Sequence, residues 1–323
     1  MAIKADTMKR GEHIKGLKLS KMFFEEYGRD VLKSAAPELW ERTAAGLCGR
    51  GSECQGYDDA LSEDHDFDPG FCVWLDSKDY ESSGFKLYRA YENLPKEYMG
   101  YERKKSDFFG RGRRGVFSIQ DFYRELIGMP EAPSSDRQWF LIPEYALREA
   151  VSGEVFTDPL GKFSEVRQKL QRGYPEDVRL KKIAARAALM AQSGQYNFNR
   201  CLGHGEREGA MLARNEFVRE SIAMLYLLNR AYMPFYKWCF RGLRELDIKP
   251  ELLKALKALS YGGSGIEDTE DTIEYICSVV AAELVEKGMS DSKSDYLEAH
   301  ARSVTEHIKS DEIRAMHLME GVI

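Results

Sequence analysis

The stretch Leu47–Leu75, LCGRGSECQGYDDALSEDHDFDPGFCVWL, constrains this chain more than any other. The apolar run Ala44 to Cys48, bounded by Gly46, Gly49 and Gly51, predicts a buried central strand that enters a tight turn. Gly51 and Ser52 occupy that turn, and eleven residues separate Ser52 from Asp64. Asp64 and Asp66, with His65 between them, lead into a second apolar run, Phe71 to Leu75, which reads as a second strand. Side chains two apart on a strand share a face, so Asp64 and Asp66 are expected to project together and His65 away from them. Adjacent carboxylates repel unless a cation lies between them, and Mg2+, which prefers oxygen ligands, meets that need. Backbone N–H groups and a hydroxyl at the Gly-Ser turn can approach a phosphate closely. An acidic pair alone is common in solvated loops, but with the turn before it the pattern reads as a metal-nucleotide site.

A glycine-serine turn after an apolar run, about a dozen intervening residues and an Asp-x-Asp before a second apolar run resemble the nucleotidyltransferase superfamily with the DNA polymerase β-like fold. The phrases GSECQGYDDALSEDHDFDPGF, GEVFTDPLGKFSEVR, YPEDVRLKKIAARAALMAQSGQYNFNR and LNRAYMPFYKW resemble DUF4037, a bacterial family of unknown function placed near those enzymes. The resemblance spans roughly Lys15 to Leu246. It implies an α+β protein. An N-terminal polymerase β-like domain, a mixed sheet with flanking helices over residues 1–151, precedes an all-α bundle over residues 152–323. It also implies a third metal-site carboxylate on a strand after the Asp-x-Asp strand. Here the segment Val116 to Ile119 carries no acid, and Asp121 is the nearest candidate, with helix capping as its other reading.

At 323 residues the chain is long enough for two domains, each with its own core. Hydrophobic residues at 43% and charged residues at 31% describe an ordinary globular protein. The net charge of −6 argues against a general nucleic-acid or anionic-membrane binder, though it leaves room for a local basic patch. The N-terminus lacks a secretory pattern and no apolar run approaches a membrane span, so a cytoplasmic location is expected. The six cysteines are scattered without a CxxC pair and read as free thiols.

Residues before Lys15 read as polar and loosely docked. Helices are expected from Leu17 to Lys33, after Pro37, and from Ser77 to Tyr91 behind the cap Asp76. Tyr98 to Gly115 gathers Arg103, Lys104, Lys105, Arg111, Arg113 and Arg114 among aromatics and glycines; it reads either as a solvated loop or as an anion-binding loop. Gly115 to Ile119 reads as a strand and Asp121 to Ile127 as a helix. The proline- and serine-rich Met129 to Ser135, MPEAPSS, together with GEVFTDPLG, punctuated by Gly153, Pro159 and Gly161, reads as the connection between the domains.

Helical periodicity then dominates, with helices expected around 164–170, 175–192, 208–229, 234–246, 250–259, 269–287 and 292–319. Lys181, Lys182 and Arg186 lie at helical spacing, as a solvated face or, for Lys181 and Lys182, as groups reaching a triphosphate. Glu216 and Arg219 are spaced for an ion pair, and a bundle carboxylate of the Glu216–Glu220 turn is a candidate general base, as the resemblance to antibiotic nucleotidyltransferases implies. In LNRAYMPFYKW, Lys237 stands among Tyr232, Tyr236 and Trp238 and is a candidate phosphate or base contact.

The expected activity is transfer of a nucleoside monophosphate from an NTP, ATP by abundance, to a hydroxyl acceptor, with Mg2+ on Asp64 and Asp66 and the phosphates on Gly51 and Ser52. The alternative is a nucleotide-binding or antitoxin-like regulatory protein without turnover. The partners expected are the nucleotide and an unidentified small-molecule or protein acceptor, with neither nucleic acid nor a membrane.

Overall fold

A computed structural model describes residues 14–64, 67–106, 112–262 and 265–322. The chain forms two compact units, Met1–Ala132 with Ala146–Gln171, and Pro133–Tyr145 with Arg172–Ile323. The division is thus not the single cut after residue 151 expected from sequence. The chain enters the second unit for a short excursion, returns, and leaves again after Gln171. The segment before Lys15 read as loosely docked lies, up to residue 13, outside the described residues.

The first unit is built on a mixed four-stranded sheet. Its strands are β1 (Ala44–Cys48), β2 (Cys72–Leu75), β5 (Gly115–Ser118) and β6 (Gly153–Thr157), in the order β5-β2-β1-β6. β1 runs antiparallel to β2 and to β6, whereas β2 and β5 are parallel. A separate two-stranded ladder joins β3 (Glu97–Tyr98) and β4 (Tyr101–Glu102). The segment GEVFT, expected as a connecting loop, is therefore the edge strand beside β1. Gly153 is required there: its φ is +86°, and a Cβ would lie 2.0 Å from the Leu47 carbonyl oxygen.

Alternation along the strands divides two apolar faces. On one, Ala45, Phe71, Val73, Leu75 and Val116 meet Phe23, Phe24, Leu32, Leu87 and Tyr91 from the helical run 16–35 and the helix Ser77–Glu92. On the other, Trp74 stacks on Phe163 at 3.8 Å and meets Phe122 edge-on at 5.3 Å. Helices thus cover both faces of the sheet. Asp76 caps Ser77–Glu92 as its sequence predicts, accepting from the Lys78 N–H at 3.2 Å.

The second unit is helical. Glu176–Met190 packs against Arg207–Leu228 and Leu297–Glu306. The first of these does not end near residue 192 as its periodicity suggested; the chain continues as a π-helical segment, Ala191–Phe198. A Cβ at Gly194 would lie 2.4 Å from the Phe217 ring, so glycine is there for close helix approach. The helix expected over 234–246 is instead a stretch without regular secondary structure followed by short helical turns, Tyr236–Trp238, Cys239–Gly242 and Leu243–Glu245. Likewise the helix expected over 292–319 resolves into Leu297–Glu306 and Asp311–Arg314. No helix among the described residues is long and apolar enough to cross a membrane.

Candidate functional site

β1 delivers the chain into the turn Gly49–Gly51, and the short helix Ser52–Gln55 begins directly after it. Gly51 has φ +116°, and a Cβ there would lie 1.7 Å from Nη2 of Arg113. Glycine is therefore needed twice over, for the backbone conformation and for the guanidinium seated against the turn. Arg113 donates to the Arg50 carbonyl at 2.9 Å and pairs with Glu53. Its neighbour Arg114 is buried and bridges two buried carboxylates, Glu53 at 3.1 Å and Asp68. Burial alone would lower the pKa of Arg114, but Asp68 and Glu53 outweigh it and hold the guanidinium above its ordinary value. Asp68 also accepts from the Gly70 N–H at 2.6 Å.

A third buried carboxylate, Asp58, ties the first helix to the same region. It accepts from the Gly16 N–H at 2.8 Å and pairs with Lys15 at 3.3 Å. Asp68, Lys104, Lys105, Ser106, Arg113 and Arg114 line an open cleft beside this network. The basic stretch thus divides its labour. Arg103 turns inward, donating to the carbonyls of Glu92, Leu94 and Pro95 at 3.1–3.3 Å, while Lys104 and Lys105 stay exposed.

Asp64 closes a 3-10 helix, Ala60–Asp64, and β2 begins only at Cys72, so strand alternation is not what positions Asp64. The side chain of Asp64, all of Asp66 and all of His65 lie outside the described residues. Among the described residues no three His, Cys, Asp or Glu side chains gather as a metal cage. Asp58 and Asp68 are engaged by cations and amide N–H groups, so the described carboxylates do not by themselves fit Mg2+.

Asp121 sits in the first turn of the helix Ile119–Ile127, whose N-cap is Ser118. Its carboxylate accepts from the Ser118 hydroxyl at 2.7 Å, pairs with Arg124 and is 62% exposed. Ser118, not Asp121, is therefore the cap, accepting from the Asp121 N–H at 3.0 Å, and no acid stands on β5. Cys54, beside the turn, is buried, and burial holds its thiol well above the ordinary range; Cys48 and Cys72 are pushed up to about 12 for the same reason. All six cysteines are free.

The second unit holds its own buried charges. Lys181 and Lys182 are not on a solvated face: both are buried, because Glu176–Met190 is enclosed on nearly every side. Nor are their ammonium groups held out for a triphosphate. Lys181 donates to the carbonyls of Met316 and His317 at 3.0 and 2.7 Å, and Lys182 to that of Gly321 at 2.8 Å. Arg186 joins Glu220 at 2.6 Å and Glu144 at 3.3 Å, all three buried. The ion pair expected between Glu216 and Arg219 is present at 2.6 Å, and Glu220, one residue on, faces inward. Lys237 is exposed, with its ammonium 5.2 Å from the Trp238 ring centre.

Comparison with known families bears on this second unit most. Residues 139–239 match DUF4037, a domain of unknown function. The match supports the DUF4037 family and includes Glu144, Lys181, Lys182, Arg186, Glu220 and Lys237. No curated protein and no solved structure matches the chain.

Sequence reasoning missed Glu53, Asp58 and Asp68. A signal for Asp68 was there, since Asp64, Asp66 and Asp68 alternate and Pro69-Gly70 follows. No pattern marks Glu53 or Asp58 as buried, because their partners Arg113, Arg114, Gly16 and Lys15 are distant in sequence.

Proposed function

We propose that the Gly51 turn receives the phosphates of a nucleoside triphosphate and that the protein is a Mg2+-dependent nucleotidyltransferase acting on a hydroxyl acceptor. One observation carries the reading: Arg113 and Arg114, from a loop some sixty residues away, converge on the Gly51–Glu53 turn. Phosphate oxygens arriving there meet amide N–H groups, the Ser52 hydroxyl and the Arg113 fork, while Lys104 and Lys105 add charge along the adjoining cleft. The acidic run Asp64–Asp68 follows closely in the chain. Mg2+ held by Asp64 and Asp66 would supply charge stabilisation on the leaving pyrophosphate and lower the acceptor hydroxyl's pKa. ATP is the donor expected from abundance.

The test is a thermal-shift series with ATP, GTP, CTP and UTP, each with and without Mg2+, beside the variant carrying Asp64→Asn and Asp66→Asn. A nucleotide at about 100 times its dissociation constant adds roughly 2.7 kcal/mol to the folded state, a readily visible shift. A Mg2+-dependent shift lost in the variant supports the reading; equal shifts in both proteins sink it.

A second reading is nucleotide binding without turnover, as in a regulatory or antitoxin-like protein. It is favoured by the acid-free β5 and by the commitment of Asp121 to Ser118 and Arg124. Release of pyrophosphate on incubation with the binding nucleotide and candidate acceptors separates the two.

A further inference from the structure

Lys181 and Lys182 are consecutive on the helix Glu176–Met190 and both are buried. Among the described residues, their ammonium groups donate only to main-chain carbonyls of one short segment: Lys181 to Met316 and His317 at 3.0 and 2.7 Å, Lys182 to Gly321 at 2.8 Å. Two acids act on them from further off. Glu144 stands 4.0 Å from Lys182 but is shared with Arg186 at 3.3 Å, and Glu320, which acts on Lys181, lies on the covering segment itself. Glu220 is taken by Arg186 and Arg219, at 2.6 and 2.9 Å. Three buried cations, Lys181, Lys182 and Arg186, thus share two buried carboxylates, Glu144 and Glu220. A neutral carbonyl is a weak counterpart for a buried ammonium, and burial lowers the pKa of both lysines, that of Lys182 to about 8.

The covering segment is fastened at its root and lightly held along its length. Ile313 is buried, and the N–H groups of Lys309 and Ser310 donate to Asp177 at 3.2 and 2.8 Å. From residue 314 to residue 322 no residue is buried. Its polar groups turn back on it: the Glu320 N–H donates to the His317 carbonyl at 2.8 Å, and the Glu320 carboxylate accepts from the His317 N–H at 3.2 Å. Beyond the turn it grows from, its hydrogen bonds to the rest of the unit, among the described residues, are the three from Lys181 and Lys182. Gly321 lies against Phe140, where a Cβ would meet the ring at 2.9 Å. Beside Lys182, the Tyr174 hydroxyl and Oε2 of Glu144 are buried without a hydrogen-bond partner, and the Tyr174 ring centre is 5.2 Å from the ammonium. We propose that residues 315–322 are a displaceable strap over a binding site for a small oxyanion, received by Lys181 and Lys182 with the Tyr174 hydroxyl as a further donor. When the strap leaves, Glu320 leaves with it, and the two ammonium groups keep only the shared Glu144. A charged oxygen then makes hydrogen bonds roughly twice as strong as those of the neutral carbonyls it replaces. The oxyanion binds the open form, so its apparent affinity is reduced by the fraction of protein that is open. The site lies in the second unit and does not rest on the reading of the Gly51 turn.

Inorganic phosphate is the probe, titrated calorimetrically into the full chain against chloride at equal ionic strength. Gly321→Val holds the strap off without altering either lysine, because the position has φ +95°, is partly exposed and faces the Phe140 ring. With the native strap closed about nine-tenths of the time, the variant is expected to bind phosphate about 10-fold more tightly. Lys181→Met and Lys182→Met, each added to Gly321→Val, are expected to lose most of that gain. Phosphate held at the Gly51 turn is indifferent to all three changes, so the differences between these proteins report on this site alone. In the native chain, which needs no variant to fold, phosphate is expected to speed tryptic cleavage after Arg314, whose side chain is 40% exposed. Equal phosphate affinity in the native protein and Gly321→Val overturns the proposal. So does a gain that both methionine variants keep, or a cleavage rate that phosphate leaves unchanged.

Discussion

Arg113 and Arg114 are sequence neighbours with different physical roles. Arg114 is enclosed with Glu53 and Asp68, so replacing it takes the guanidinium from buried Asp68 and leaves Glu53 to Arg113. Arg114→Leu is expected to cost on the order of 3–5 kcal/mol, measured by urea unfolding, because a broken buried pair leaves uncompensated charge. Arg113 is about one-third exposed, at 32%, and Arg113→Met is expected to cost under about 1 kcal/mol. If the Gly51 turn binds phosphates, that same variant loses most of the nucleotide-induced thermal shift; an undiminished shift would remove Arg113 from the site. Lys182 offers a titration. Burial, opposed by Glu144, lowers its pKa to about 8 from an ordinary 10.5. Between those values the unfolded chain binds more protons than the folded one, so stability rises with pH across that window and the penalty is fully present below it. Relative to Lys182→Met, the native protein is therefore expected to gain on the order of 3 kcal/mol between pH 8 and 10.5. A stability difference that stays flat over that range contradicts it. Side-chain partners such as these were not legible in the sequence. Arg114 finds Asp68 across forty-six positions, and local spacing carries no trace of that.

Elements were more legible than partners, and where they were not the reason is physical. β1, β2 and β5 are buried along their whole length, so each leaves an apolar run between turn residues. β6 is half-buried at every position and bounded by glycine and proline, which is how an edge strand and a loop come to look alike. Its place depends on Gly153, whose added Cβ would meet backbone that cannot move aside. Gly153→Ala is expected to destabilise by about 2–4 kcal/mol, combining a left-handed conformation with a backbone clash. A loss under about 0.5 kcal/mol on chemical denaturation would mean that β6 does not pair as described. The helix Glu176–Met190 shows the opposite failure. Its period was plain, but Lys181, Lys182 and Arg186 suggested a solvated face where none exists. Small alanines surround these charges and let neighbouring segments close over them, supplying carbonyls and carboxylates in place of water. Periodicity identifies a helix; which stripe is outside depends on what else packs against it.

At the scale of the molecule, length allows two domains, and the two compact units do not follow chain order. Glycines and Pro159 around residues 153–161 mark a boundary in sequence, while in space this segment completes the first unit. β6 covers the outer edge of β1, and Phe163 on the helix Lys162–Gln171 stacks on Trp74 at 3.8 Å and on Tyr123 at 5.3 Å. A fragment ending at residue 151 lacks both pieces, leaving the β1 edge open and a buried tryptophan face bare. One ending at residue 171 retains them, and both fragments carry the same excursion, 133–145, from the second unit. Any difference between the two therefore reports on residues 152–171 alone. The longer fragment is expected to melt cooperatively by far-ultraviolet circular dichroism, and the shorter to show a broad, non-cooperative loss of signal or to aggregate through its exposed edge. Equal cooperativity in the two would place the limit of the first unit before β6, and would make that strand an ornament of the sheet rather than part of its core.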